Sequence, residues 1–252
     1  MEDNFLSYGV NENCATNDFI EGRFLLLNKP LGWSSFDLVN KIRILLRQYL
    51  GLRKSKVGHA GTLDPLATGL MIICIGKMTK KIDLLMGMDK EYVAGITFGG
   101  TTPSYDLETE VESGFDYLHI NKENINNVLN SFLGKQMQTP PLFSAIRING
   151  KRAYEHARKG EDMKLQQREV VFNELELLDY ETPTANVRIN CSKGTYIRSF
   201  ANDLGKALES GAYLSSLERT KTGVYSLNDA MTMEQFEDIL KKIKEENERE
   251  RC

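Results

Sequence analysis

The chain has little of what metal centres and disulfide frameworks are made from. Its three histidines, His59, His119 and His156, are far apart, and its four cysteines, Cys14, Cys74, Cys191 and Cys252, form no C-x-x-C pair. No Cys/His group has zinc-ligand spacing, so no metal is expected, and the thiols read as free groups in a reducing compartment. Neither a G-x-G-x-x-G nor a P-loop pattern occurs, so no nucleotide cofactor is indicated. The longest apolar run, Leu70–Ile75, is far too short to cross a bilayer. The first 22 residues hold five acids and no Lys or Arg, which argues against a secretory or organellar leader. A soluble cytoplasmic protein, without membrane contact, is expected.

What is present suits a globular fold. With 252 residues, 41% of them hydrophobic, the chain can bury a sizeable core without a staple. The net charge of −3 argues against a polyanion binder if taken alone. Its distribution argues the other way. Between Leu38 and Leu63 there is no acid, yet Lys41, Arg43, Arg47, Arg53, Lys54 and Lys56 all lie there. Arg147, Lys151, Arg152, Arg158 and Lys159 form a second basic stretch, while acids gather in the N-terminal tail, in Asp106–Asp116 and near the C-terminus. The plain reading of a charge run is a solvated helix face. Segregation on this scale also allows a local positive face for phosphates on an acidic protein.

The pattern predicts a loose tail over residues 1–21, a main domain over 22–230 and a charged helix over 231–252. Arg23–Lys29 reads as a strand ended by Pro30 and Gly32. Ser34 or Ser35 can cap a helix over Phe36–Leu50, where Leu38, Ile42, Leu45, Leu46 and Tyr49 recur at helical spacing. Gly51–Gly69 reads as one long loop, Leu70–Ile75 as a buried strand, Met78–Met88 as a helix and Glu91–Phe98 as a strand. After a polar loop come a helix over Asn121–Leu133, a strand over Phe143–Ile148 and a short basic helix over Arg152–Lys159. Glu169–Tyr180 and Asn186–Cys191 alternate as a strand pair. A helix over Tyr196–Leu208 and strands around Thr222-Gly223 follow. Strands adjacent in sequence with helices irregularly interspersed predict an α+β fold, its sheet mixed but mostly antiparallel and flanked by helices.

The most distinctive segment is Lys56-Val-Gly-His-Ala-Gly-Thr-Leu-Asp-Pro-Leu-Ala-Thr-Gly69. Its glycines let a backbone turn tightly and approach a ligand. Pro65 pushes Asp64 towards an extended conformation. Taken alone, Asp64 would be a turn residue.

This run resembles the catalytic segment of TruB-type tRNA pseudouridine-55 synthases. Four further blocks resemble that family in its order: Leu26-Leu-Asn-Lys-Pro-Leu-Gly32, Lys90-Glu-Tyr92, Pro140-Pro-Leu-Phe-Ser-Ala145 with Gly150-Lys-Arg-Ala-Tyr154, and Gly194-Thr-Tyr-Ile-Arg198 with Asp203-Leu-Gly205. The resemblance implies a pseudouridine synthase fold and an isomerase acting on the T-arm of tRNA as a monomer. It matches Asp64 to the catalytic aspartate, Arg198 to the arginine paired with it, and Tyr92 to the tyrosine packed on the target base. It matches His59 to a histidine that contacts the flipped nucleotide, and Tyr196 and Leu217 to the uridine pocket. Lys29 matches a lysine that supports the loop or meets phosphate. Arg53, Lys54, Lys56, Lys151 and Arg152 are the candidate RNA-binding face. Without the ordered blocks, Tyr92, Tyr196 and Leu217 would read as core, Arg198 as a surface ion-pair member and His59 as a loop residue.

The implied chemistry breaks the bond from ribose C1′ to uracil N1, turns the base and rejoins it through C5. It needs no redox partner and no cofactor. An ionised carboxylate could attack C1′ or remove a sugar proton. A competing reading is a non-catalytic tRNA-binding or folding factor on the same scaffold. Three departures from the family pattern stand out. Thr102-Pro-Ser-Tyr-Asp106 stands where T-D-T-x-D is usual, and Asn28 stands where Asp is usual. The chain also ends at Cys252, where most members continue into a PUA-type RNA-binding domain.

Overall fold

The computed structural model describes residues 9–11, 13–144, 147–148, 151–152 and 165–249. The chain divides into two compact units, Met1–Met88 with Glu218–Cys252, and Asp89–Leu217.

The first unit starts with a correction. The supposed loose tail contains a helix, α1 (Thr16–Glu21), ordered by burial of Phe19. β1 (Arg23–Lys29) follows, then α2 (Ser35–Leu50). Ser34 Oγ accepts from Asp37 N at 3.1 Å and the Asp37 carboxylate accepts from Ser34 N at 2.9 Å, a reciprocal cap. Gly51, at φ 68°, ends the helix in the left-handed region. β2 (Val57–His59) interrupts the expected loop, and β3 (Ala67–Ile75) begins three residues before the apolar run does. The helix expected over Met78–Met88 is a 3₁₀ turn, Gly76–Lys81, followed by the short α3 (Ile82–Met86). Thr79 Oγ1 donates to Gly76 O at 2.8 Å, tightening that turn.

In the second unit β4 (Lys90–Phe98) leads to the two-residue strands β5 (Gly100–Thr101) and β6 (Glu112–Ser113). Next come α4 (Lys122–Phe132), capped by Asn121, and β7 (Gly134–Gln138). The sequence did not signal β7 because G-K-Q-M-Q is mostly polar and has no alternation of apolar residues, as suits the last strand in the sheet order. β8 (Arg147–Ile148) and β9 (Lys151–Arg152) form a short ladder. Arg152 is therefore in a strand, and the rest of the expected basic helix lies outside the described residues. β10 (Arg168–Glu181), β11 (Thr184–Cys191), α5 (Ile197–Ala207) and the first part of β12 (Ala212–Thr222) complete the unit. From Glu218 onward β12 belongs to the first unit, where β13 (Tyr225–Ser226) and α6 (Met233–Arg249) follow.

Strand order is β1-β3-β12 in the first unit, with β2 on β3 and β13 on β12, and β12-β4-β11-β10-β7 in the second. The ladders β1–β3, β2–β3, β12–β13, β4–β11, β10–β11 and β7–β10 are antiparallel, as expected for this α+β fold. β3 is buried nearly throughout, which is why its sequence is an unbroken apolar run. Phe24, Leu26, Leu70, Ile72, Cys74, Leu85 and Tyr225 pack together as a core of the first unit. In the second unit β11 alternates buried Ala185, Val187, Ile189 and Cys191 with more exposed residues, the mark of a sheet covered on one face. Phe200 of α5 packs against Phe132 and Phe172, with ring centroids 5.5 and 5.0 Å apart.

Candidate active site

The candidate residues fall into two groups. Lys29, His59 and Asp64 belong to the first unit; Tyr92, Tyr196, Arg198 and Leu217 belong to the second.

In the first unit the segment between β2 and β3 carries Asp64 half-buried, with its loop pinned on both flanks. On the N-terminal side, Ser35 at the start of α2 donates from Oγ to Leu63 O and accepts from Leu63 N, both at 2.9 Å. On the C-terminal side, Gly32 N donates to Pro65 O at 2.9 Å and Lys29 Nζ approaches the same oxygen at 3.4 Å. The Lys29 amine also donates to Trp33 O at 2.6 Å and Pro30 O at 3.0 Å. It is fully buried, so of the two roles expected for it, support of the loop fits and phosphate contact does not. Burial brings its pKa down to about 8; the negative charge of Asp64 counters this, and Arg219 adds to it. His59, at the end of β2, is half-buried. Burial, and then the positive charge of Arg219, lower its pKa, while a backbone hydrogen bond at Gly61 raises it, so the imidazole is neutral at neutral pH.

In the second unit Arg198 is 4% exposed, on the first turn of α5. It donates from Nη1 to Ser104 O at 3.2 Å and from Nη2 to Phe143 O at 3.0 Å, and its Nε lies 3.6 Å from the Asp106 carboxylate. A surface ion pair was the plain reading of this arginine; the structure buries it. Tyr196 precedes the helix, and the Arg168 guanidinium sits 4.4 Å from its ring centroid. Gln138 fixes Tyr196 by its backbone, accepting from its N at 2.8 Å and donating to its O at 3.0 Å. Tyr92 is buried on β4, and Leu217 is half-buried on β12.

Arg53, Lys54 and Lys56 are exposed between α2 and β2. The side chains of Lys151 and Arg152 lie outside the described residues. Among the described residues no cluster of His, Cys, Asp and Glu could hold a metal, and no helix is long and apolar enough to cross a membrane.

Sequence reasoning did not single out Arg219 or Gln138, and it took Ser35 only as a candidate helix cap. A signal for Arg219 was available: two residues after Leu217 in one strand, it falls on the same face as a candidate pocket residue.

Family models set this geometry in context. Residues 47–197 match the N-terminal domain of TruB family pseudouridylate synthases. Residues 198–251 match the C-terminal domain of tRNA pseudouridylate synthase B. The chain belongs to the TruB family of pseudouridylate synthases. The first match takes in Asp64 and Tyr92, the second Arg198 and Leu217, while the Lys29 block lies ahead of both. Similar members of the family include a tRNA pseudouridine synthase B of Parabacteroides distasonis, 52% identical over 233 residues, covering 91% of this chain and 99% of the relative. Another, of Flavobacterium johnsoniae, is 50% identical and covers 88% and 98%. A third, of Chloroherpeton thalassium, is 46% identical and covers 92% and 93%. Among solved structures, a chain of a Cbf5-Nop10-Gar1 complex superposes with a TM-score of 0.68 at 26% identity, over 92% of this chain and 62% of that one. The TruB-family chain thus spans under two thirds of that longer protein and shares its fold.

Proposed function

We propose that the protein isomerises the uridine at position 55, in the T-loop of tRNA, to pseudouridine, and that Asp64 carries the chemistry. One observation carries this reading: a half-buried carboxylate on a loop that a serine and a buried lysine amine hold on either side. Near-full-length relatives named tRNA pseudouridine synthase B support the substrate.

In this reading the catalytic region spans residues 22–230, and the protein acts as a cytoplasmic monomer. Asp64 works as the anion, either attacking C1′ or removing a sugar proton. Arg198 is the cation that pairs with it when the nucleotide is bound, fixing the carboxylate by charge-assisted hydrogen bonds. Tyr92 stacks on the detached uracil and retains it while it turns. His59, neutral and partly exposed, packs on the everted nucleotide. Tyr196 and Leu217 line the pocket. Arg53, Lys54, Lys56, Lys151 and Arg152 hold stem phosphates, leaving the loop's shape and its extruded base for recognition.

The test is incubation with an unmodified tRNA transcript, mapping pseudouridine at single-nucleotide resolution and following tritium release from C5-labelled uridine. Wild type is expected to modify position 55, and Asp64→Asn to bind tRNA without turnover. Equal turnover by Asp64→Asn would remove the residue from the chemistry. Binding without turnover by wild type would return the protein to the class of tRNA-folding factors. We also assign the Tyr92 phenol to the final proton transfer from C5; Tyr92→Phe keeps the stack but removes the phenol, and unchanged turnover would limit Tyr92 to stacking.

A further inference from the structure

Arg219 heads the fully buried side chains by volume and is 1% exposed. A buried guanidinium is costly unless its donors are met, and an apolar side chain of similar size usually serves stability as well or better. Its presence therefore calls for an account of what its fork holds. Nε donates to Leu70 O at 2.7 Å. Nη2 donates to Gly61 O at 3.1 Å and touches Met71 Sδ at 3.2 Å.

Gly61 and Leu70 stand on opposite arms of the segment that carries Asp64. The planar fork thus ties the arm leaving β2 to the arm entering β3, closing the loop at its base. Lys29 and Ser35 brace the loop nearer Asp64, at Pro65 and Leu63. The same cation acts on the two titratable neighbours of the loop, lowering both Lys29 and His59. Gly69 lets β12 come this close: a Cβ there would meet the backbone of Arg219, with its nitrogen at 2.7 Å.

We propose that Arg219 is a positioning residue for the isomerisation, holding the two arms of the loop at the spacing that aims the Asp64 carboxylate. It rests on the reading of Asp64 as the reacting carboxylate. A lysine at the same place keeps the charge, but its three donors radiate from one nitrogen at the end of a flexible stem, so it holds the two carbonyls at a fixed spacing less rigidly than the planar fork does.

The test compares Arg219→Met, Arg219→Lys and Asp64→Asn in the full chain, measuring melting temperature, tRNA affinity and the single-turnover rate of pseudouridine formation at saturating enzyme. A small misplacement of a reacting group costs on the order of 100-fold in rate. Arg219→Met is expected to lose about that much rate while tRNA affinity stays within about threefold, and Arg219→Lys to recover about tenfold of the loss. A folded Arg219→Met or Arg219→Lys protein with the wild-type rate overturns the proposal, as does a loss lying wholly in tRNA affinity. If Arg219→Met does not fold, Arg219→Lys decides: about tenfold slower turnover at unchanged affinity supports positioning, and an unchanged rate overturns it. Wild-type turnover by Asp64→Asn would instead sink the reading beneath, and so separates the two failures.

Discussion

Lys29 is a buried amine whose three acceptors are backbone carbonyls, an arrangement that makes its titration a local probe of Asp64. Its pKa of about 8 lies below the ordinary 10.5. Between those values the unfolded chain holds the proton and the folded one does not. By linkage this group makes stability rise with pH across that window. The charged groups acting on it are Asp64, Arg219 and Asp37. Since Asp64 raises the value, Asp64→Asn should move the Lys29 midpoint below about 8, as read by heteronuclear NMR of the labelled amine. A midpoint that stays put would mean the two charges do not sense each other. His59 follows similar logic. Its folded pKa lies below 6.5, so stability should fall as pH drops through 6.5 and the unfolded chain takes up the proton. His59→Gln should flatten that part of the pH profile of the melting temperature.

At the level of elements, two junctions fix where the loop begins and ends. The Ser34–Asp37 cap starts α2 directly before Ser35, which grips Leu63. Ser34→Ala should cost about 1 kcal/mol in denaturant unfolding. Gly69 closes the other end at φ 99°, opposite Lys29 in the β1–β3 ladder. Gly69→Ala would add both a disfavoured backbone conformation and a collision with the Arg219 backbone. It should destabilise by about 2–3 kcal/mol and slow turnover in the folded fraction. A neutral Gly69→Ala in both measurements would show that the strand and the loop can separate without consequence.

For the whole molecule the question is how a chain of net charge −3 meets a polyanion. Exposed Arg53, Lys54 and Lys56 lie in the acid-free stretch that leads to the loop. Charge reversal at Arg53 or Lys54 should weaken tRNA binding and lower the slope of log affinity against log salt by about 1 for each phosphate no longer neutralised. An unchanged slope in both variants would remove them from the interface. The buried thiols should take no part: burial alone pushes Cys74 up to about 12, and is the main cause that brings Cys191 to about 12 as well, so both stay protonated.

Much of this was legible in the chain itself. Helix caps, glycine stops and two-residue alternation are local signals, and they located β1, α2, β4, α4, β10, β11 and α5 to within a few residues. The order of short motifs carried the family and the candidacy of Asp64. Signals failed where local pattern was silent or misleading: β7 without apolar alternation, the 3₁₀ turn in place of a helix, and the short α1 ordered by Phe19. Only the folded chain decided which cations lie inside. Arg219 reads as one charge in a charged run, yet it meets carbonyls 149 and 158 residues away, and Lys29 meets one 36 residues away. The physical reason is that periodicity sets the face on which a side chain stands, whereas its burial depends on which backbone oxygens a distant strand or loop brings to it.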